Sequence, residues 1–226
     1  MVKIACCWDD APETDIQLVE ILRKYGIKAT FNINSGLHYR SFRRRFTWQF
    51  ADYPSFDNRL LALDEMLDLY QGFKIGVHGV FHCNYVPDNV REFMVDMLDD
   101  RKFLEDFFQC SVPGMAYPCG RYDAGVAQQL LDAGFAYGRT CDNTWDVAAF
   151  EHPLMLRTSA HFQAPDFLDR FYAARENNGI FYFWGHSCEM QDDSRKWQEF
   201  ERRMKVISED PEAEFIDVIN IVKKDI

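Results

Sequence analysis

The 226-residue sequence contains no Cys-x-x-Cys pair, no His-Glu-x-x-His stretch, no internal repeat and no apolar run approaching the length of a membrane span. Seven cysteines at irregular spacing argue against a disulfide framework and for reduced thiols in a cytosol-like compartment. Without His-Glu-x-x-His the zinc metalloprotease signature is set aside, and without a long apolar run so is a transmembrane helix. The amino terminus, Met1 to Trp8, lacks the basic region, long apolar stretch and small-residue cleavage site of a secretory signal, so a cytoplasmic location is expected. Positive charge is scarce as well: 25 Lys and Arg stand against 36 Asp and Glu, a net charge of -11. Such a surface holds polyanions poorly, and neither nucleic acid nor a membrane is expected as a partner.

What is present suffices for a large core, since 47% of the residues are hydrophobic, and one domain spanning residues 1–226 is expected. Short apolar runs alternate with amphipathic segments, the pattern of parallel strands joined by helices. Strands are predicted at residues 2–8, 27–33, 73–77, 112–117, 135–140, 154–158 and 180–184. Helices are predicted near 13–25, 60–70, 90–108, 124–133 and 166–177, with one or two more closing the chain. About seven strand-helix units close more naturally into an α/β barrel than into an open sheet. Asp9, Asp10, His78, Pro118 and His186 all fall just after predicted strands, which places them on one rim, where active sites of parallel barrels lie. An insertion at about 36–58 carries Arg40, Arg43, Arg44 and Arg45 among aromatic residues that include Tyr39, Phe42 and Trp48. A stretch of that kind is read as a lid or binding loop, with rings that offer stacking faces and guanidinium forks that suit an anionic group, or as a cover for the barrel end.

Taken singly, the polar residues of the rim are ambiguous. Asp9-Asp10 before Ala11-Pro12 is also an ordinary helix start, with a carboxylate capping free amides. His78 and His82 are also ordinary surface or capping histidines, and His186 a satisfied histidine at the edge of the core. Together, two imidazoles and a carboxylate make the ligand set of a catalytic zinc ion with one position open, which leaves a second carboxylate and a third histidine to move protons.

In that order along the chain, these residues resemble the polysaccharide deacetylases of the NodB-homology group, carbohydrate esterases of family four whose domain is a distorted (β/α)7 barrel. Cys7-Trp8-Asp9-Asp10-Ala11 is similar to the family's Thr-Phe-Asp-Asp-Gly, and His78-Gly79-Val80-Phe81-His82 to its His-Ser/Thr-x-x-His. Ala116-Tyr117-Pro118-Cys119-Gly120 corresponds to its proline-bearing third motif, and Trp184-Gly185-His186-Ser187 to its final histidine motif. The resemblance implies that Asp10, His78 and His82 hold a divalent metal, Zn²⁺ foremost with Co²⁺ or Ni²⁺ as alternatives. It implies Asp9 as general base, His186 as general acid and the backbone N–H of Cys119 at the oxyanion. Asp142 or Asp146 is the expected carboxylate partner of His186. Tyr117, Trp48 and His161 are candidates for contact with a carbohydrate or small amide substrate; the oligomeric state is left open.

The sequence departs from the family at several places. Ala116 stands in the stretch where the third motif often begins with an arginine that orients the base, and Arg139 on the next predicted strand is the candidate substitute. Ala11 replaces a glycine, and Cys83, Cys119 and Cys188 lie beside three motifs, where they pack or, less commonly, ligate. The activity implied is removal of an acetyl group from an N-acetylated sugar. Another small C–N substrate, and an inactive carbohydrate-binding homologue, are the alternatives. A two-histidine, one-carboxylate Fe(II) oxygenase triad would be expected on an all-β barrel instead.

Overall fold

The computed structural model of the protein describes residues 1–48 and 56–223. The chain begins with β1 (Val2–Asp9), α1 (Asp15–Lys24) and β2 (Thr30–Ile33), then a hairpin of β3 (Arg44–Trp48) and β4 (Phe56–Leu60). There follow α2 (Leu63–Leu69), β5 (Lys74–Val77), α3 (Val90–Phe108), β6 (Gly114–Ala116), α4 (Ala124–Asp132), β7 (Tyr137–Asn143), β8 (Leu156–Thr158) and β9 (Ala160–His161). The chain closes with α5 (Phe167–Glu176), β10 (Ile180–Gly185), α6 (Ser194–Ser208), β11 (Ala213–Phe215) and α7 (Ile219–Val222). No helix among the described residues is long and apolar enough to cross a membrane.

Eight parallel strands follow the order β8-β7-β6-β5-β2-β1-β10-β9, and β11 adds to β1. The two ends of that path, β8 and β9, are separated in sequence only by Ser159, so the sheet curls into a nearly closed barrel. The fold is the distorted (β/α) barrel that the alternation implied, with eight strands on the path where seven units were counted. β2 begins later than expected, at Thr30 opposite Cys7, and β11 pairs with Val2–Ile4 at the other end of β1. In that register Ile27 would fall opposite Ile4, a position that Phe215 holds.

Alternation sorts the strand residues onto two faces. Ile4, Trp8, Phe31, Val77, Met115 and Phe183 pack outward with helix residues such as Leu18, Val19, Phe93 and Met97 in the main core. Ala5, Cys7, Tyr137, Leu156 and Tyr182 form the interior cluster with Ile216, Val218 and Ile221 of the C-terminal segment. Burial on both faces explains the near-continuous apolar reading of β1. Gly76 faces Asn32, and a Cβ there would collide with the Asn32 amide, so glycine makes room for the asparagine that reaches Asp9.

The insertion is a two-stranded antiparallel hairpin. Its arginines are engaged by the chain itself. Arg43 pairs with Glu65 at 2.7 Å and Glu13 at 3.3 Å, and Arg40 with Asp64 at 3.4 Å. Arg44 lies over the rings of Tyr39 and Phe46 at 5.5 and 5.2 Å. These contacts tie the insertion to α2 and to the loop after β1; residues 49–55 of the insertion lie outside the described residues. Trp48 closes β3, and its side chain lies outside the described residues.

Candidate active site

Three loops at the carboxyl ends of β1, β5 and β10 bring the polar residues together. β1 carries Asp9 at its last position, and Asp10 and Ala11 follow in the left-handed region with φ of 73° and 45°. His82 and Cys119, in two other motif loops, share that conformation at φ 57° and 52°. Non-glycine residues hold such dihedrals at a cost, and they concentrate at functional sites. At Ala11 the cost explains why the corresponding family position is a glycine.

Ligand atoms of Asp10, His78 and His82 all lie within 4.8 Å of one another. Asp10 Oδ1 is 3.6 Å from His78 Nε2, and the two imidazoles meet edge to face with centroids 4.8 Å apart. His78 Nδ1 lies 2.8 Å from the carbonyl oxygen of Ala116, which fixes Nδ1 as the protonated nitrogen and leaves Nε2 a free lone pair. Burial holds the His82 imidazole well below its ordinary range, so it is neutral, the form that ligates. Asp10 Oδ1 is buried with no hydrogen-bond partner, and burial pushes its carboxyl up against the pull of His78 and His186. A buried carboxylate oxygen without a donor, facing two imidazoles, fits a divalent cation. No cysteine belongs to this group or to the second group of ligand-type side chains among the described residues.

Asp9 is fully engaged. Asn32 donates to Oδ1 at 2.8 Å and the buried Arg139 guanidinium pairs with Oδ2. Burial raises its pKa, but Arg139, His78 and His186 outweigh that and hold it at about 2. Arg139 is the register partner of Ala116 across β6 and β7, so the guanidinium enters one strand over from the motif arginine at the same height. It also lies 4.4 Å over the ring of Trp184.

His186 Nε2 is 3.8 Å from Asp9 Oδ2 and 3.7 Å from Asp10 Oδ2. Its Nδ1 meets Glu189 Oε1 at 2.8 Å, and the same oxygen meets His161 Nε2 at 3.1 Å. Burial pulls His186 down, but the bond to Glu189 and the Asp10 charge prevail and raise it to about 9. Glu189, despite burial, is held at about 2 by its bonds to the two histidines. The partner of His186 is therefore neither Asp142 nor Asp146. Asp142 is exposed and accepts from Tyr122, and Asp146 is exposed and accepts from Ala148 N–H. The signal was a carboxylate three residues after the histidine, on the turn that follows β10.

Tyr117 also departs from expectation. It is fully buried, between Phe93 and Tyr122 in the outer core, where no substrate reaches it. His161, half-buried on β9, joins the site through Glu189. Cys119 is exposed on the loop after β6.

The sequence profile of the polysaccharide deacetylase family matches residues 2–138. The chain belongs to the polysaccharide deacetylase family. No curated protein matches it. Among solved structures, a Mycobacterium smegmatis protein described as a polysaccharide deacetylase is 13% identical, with a TM-score of 0.64 over 98% of this chain and 88% of that one. A family 4 acetyl xylan esterase from Clostridium thermocellum, solved with a cobalt ion, is 14% identical with a TM-score of 0.53, covering 97% and 89%. A Streptococcus pyogenes deacetylase in complex with acetate is 25% identical with a TM-score of 0.51, over 67% of this chain and 61% of that protein's length. The first two likenesses show the fold, the distorted barrel of the family's deacetylases.

Proposed function

We propose that this member of the family is a divalent-cation-dependent hydrolase that removes the acetyl group from an N-acetylated sugar. The observation that carries the reading is the convergence of Asp10, His78 and His82 on one point, with Asp9 and His186 beside it. Asp10, His78 and His82 hold the cation, of zinc, cobalt or nickel type by their donor atoms. When bound, it polarises the acetyl carbonyl and makes water more acidic.

The protein's own groups handle the protons and the orientation. Asp9, kept ionised by Arg139 and fixed by Asn32, accepts the proton of the attacking water. His186 presents Nε2 to the leaving nitrogen, because Glu189 engages Nδ1 and so sets the orientation and tautomer of the ring. The bond from Nδ1 to Glu189 favours the protonated ring that gives up the Nε2 proton. The N–H of Cys119 serves the developing oxyanion. Acid-base catalysis of this kind contributes about 10²- to 10⁴-fold.

The test compares two variants for metal content and release of acetate from N-acetylated oligosaccharides. Asp9→Asn is expected to retain bound metal and lose about 10²- to 10⁴-fold in kcat. Asp10→Ala is expected to lose both. Metal content unchanged in Asp10→Ala overturns the ligand assignment, and release of formate or ammonia from other amides in place of acetate overturns the substrate class.

A further inference from the structure

Helix α3 places two acids where its apolar stripe runs. Phe93, Met97 and Leu104 are buried on that face, and Asp96 and Asp100, four residues apart, are buried with them. A carboxylate on the packed face of a helix costs desolvation unless donors meet it. Beside the Ser35 hydroxyl at Asp100, four backbone amides meet them, and three of the four belong to the segment that joins His78 to Cys83. Asp100 Oδ2 shares the His78 N–H, at 3.2 Å, with the carbonyl of Ile33 at 3.1 Å, and Oδ1 accepts from Ser35 N–H at 2.9 Å. Asp96 Oδ1 accepts from Phe81 N–H at 3.0 Å and Oδ2 from Cys83 N–H at 3.2 Å.

The segment they grip turns through two left-handed positions. Gly79 and His82 stand at φ of 81° and 57°, and a Cβ at Gly79 would collide with Asp96 Oδ2. The carboxylates thus fix the amide before one imidazole and the amides on both sides of the other, which sets where the two rings stand relative to Asp10.

We propose that Asp96 and Asp100 are positioning residues for the cation site, holding the His78–His82 loop at chelating spacing without touching the cation or the substrate. This rests on the cation-dependent reading given above. Supporting groups around metal ligands typically change affinity by about 10- to 100-fold when removed. An asparagine at either position keeps one acceptor oxygen and turns the other into a donor aimed at a donor.

Zinc titrated into metal-stripped protein, followed by calorimetry, measures affinity for wild type, Asp96→Asn, Asp100→Asn and the ligand variant Asp10→Ala. Thermal unfolding of each stripped protein and the absorption spectrum of its cobalt form are recorded alongside. The expected result is a loss of zinc affinity of about 10- to 100-fold in Asp96→Asn and a smaller loss in Asp100→Asn, each with a shifted cobalt spectrum. Lower unfolding temperatures with affinity within twofold of wild type and an unchanged cobalt spectrum would make both acids ordinary structural acceptors and overturn the proposal. If Asp96→Asn does not fold, Asp100→Asn decides by the same criteria. Wild type binding zinc no better than Asp10→Ala overturns the cation reading itself, a failure distinct from that of the positioning role.

Discussion

At the scale of single residues, the pair of Arg139 and Asp9 shows how a site tolerates a missing motif residue. Ala116 cannot orient the base, but its register partner on β7 stands at the same height and reaches the same carboxylate. Both members are buried, so removing one strands the other's charge, a change that costs about 3–5 kcal/mol. Arg139→Met is expected to lower stability by that amount in urea unfolding. Combined with Asp9→Asn it should lose less than the sum of the single changes, with a coupling above about 1 kcal/mol. Additive losses would mean that Arg139 is held by Trp184 and not by Asp9. Spacing in the sequence made Arg139 a candidate, because it ends the next strand. It did not make Glu189 one, because the family pattern directs attention to acids near β7 while the turn after β10 supplies the carboxylate.

Between elements, a buried hydrogen-bonded chain ties the start of α1 to the end of β10 and to α2. Thr14 Oγ1 and Ser187 Oγ lie 2.7 Å apart, Ser187 donates to Asp15 Oδ1 at 2.5 Å, and Tyr70 of the α2 end donates to Oδ2 at 2.6 Å. Burial raises Asp15 from 3.8 to about 7, with the Asp10 charge adding to it and Ser187, Tyr70 and His186 opposing. Below about pH 4 the folded and unfolded carboxyls both carry the proton, and stability is independent of this group. As pH rises from there to about 7, only the unfolded chain releases it, so stability falls by about 1 kcal/mol per pH unit and then levels off. Asp15→Asn removes that contribution. The change in urea midpoint from pH 5 to pH 7 should be more positive in the variant than in wild type by the amount Asp15 supplied, because Asp100, raised alike, and the lowered His38 and His82 titrate equally in both proteins. An equal slope in both proteins would place the titration elsewhere.

Over the whole molecule, the strand-helix alternation was legible in the sequence because parallel strands buried on both faces read as apolar runs, and α3 was legible to the residue. The sharing of β1 between β2 at Cys7–Asp9 and β11 at Val2–Ile4 was not, since β11 arrives from the far end of the chain. Closure was equally invisible, because it is made by one small polar residue. Ser159 stands between the two ends of the sheet path, and its N–H donates to Tyr182 O at 2.6 Å while its Oγ accepts from Tyr182 N–H at 3.0 Å. The hydroxyl also donates to Ile180 O at 3.4 Å, so the backbone and side chain of one residue together join the β8 end to β10, just before β9 pairs with it. Ser159→Ala leaves the buried Tyr182 amide without its acceptor, a loss of about 1–3 kcal/mol. Hydrogen exchange locates the effect: the Tyr182 amide should exchange faster while the amides of α3, on the opposite side of the barrel path, keep their protection. Uniform acceleration throughout the chain would instead mean that the seam opens only with global unfolding, and that closure is carried by the interior cluster of Tyr137, Tyr182 and the C-terminal segment, not by the serine.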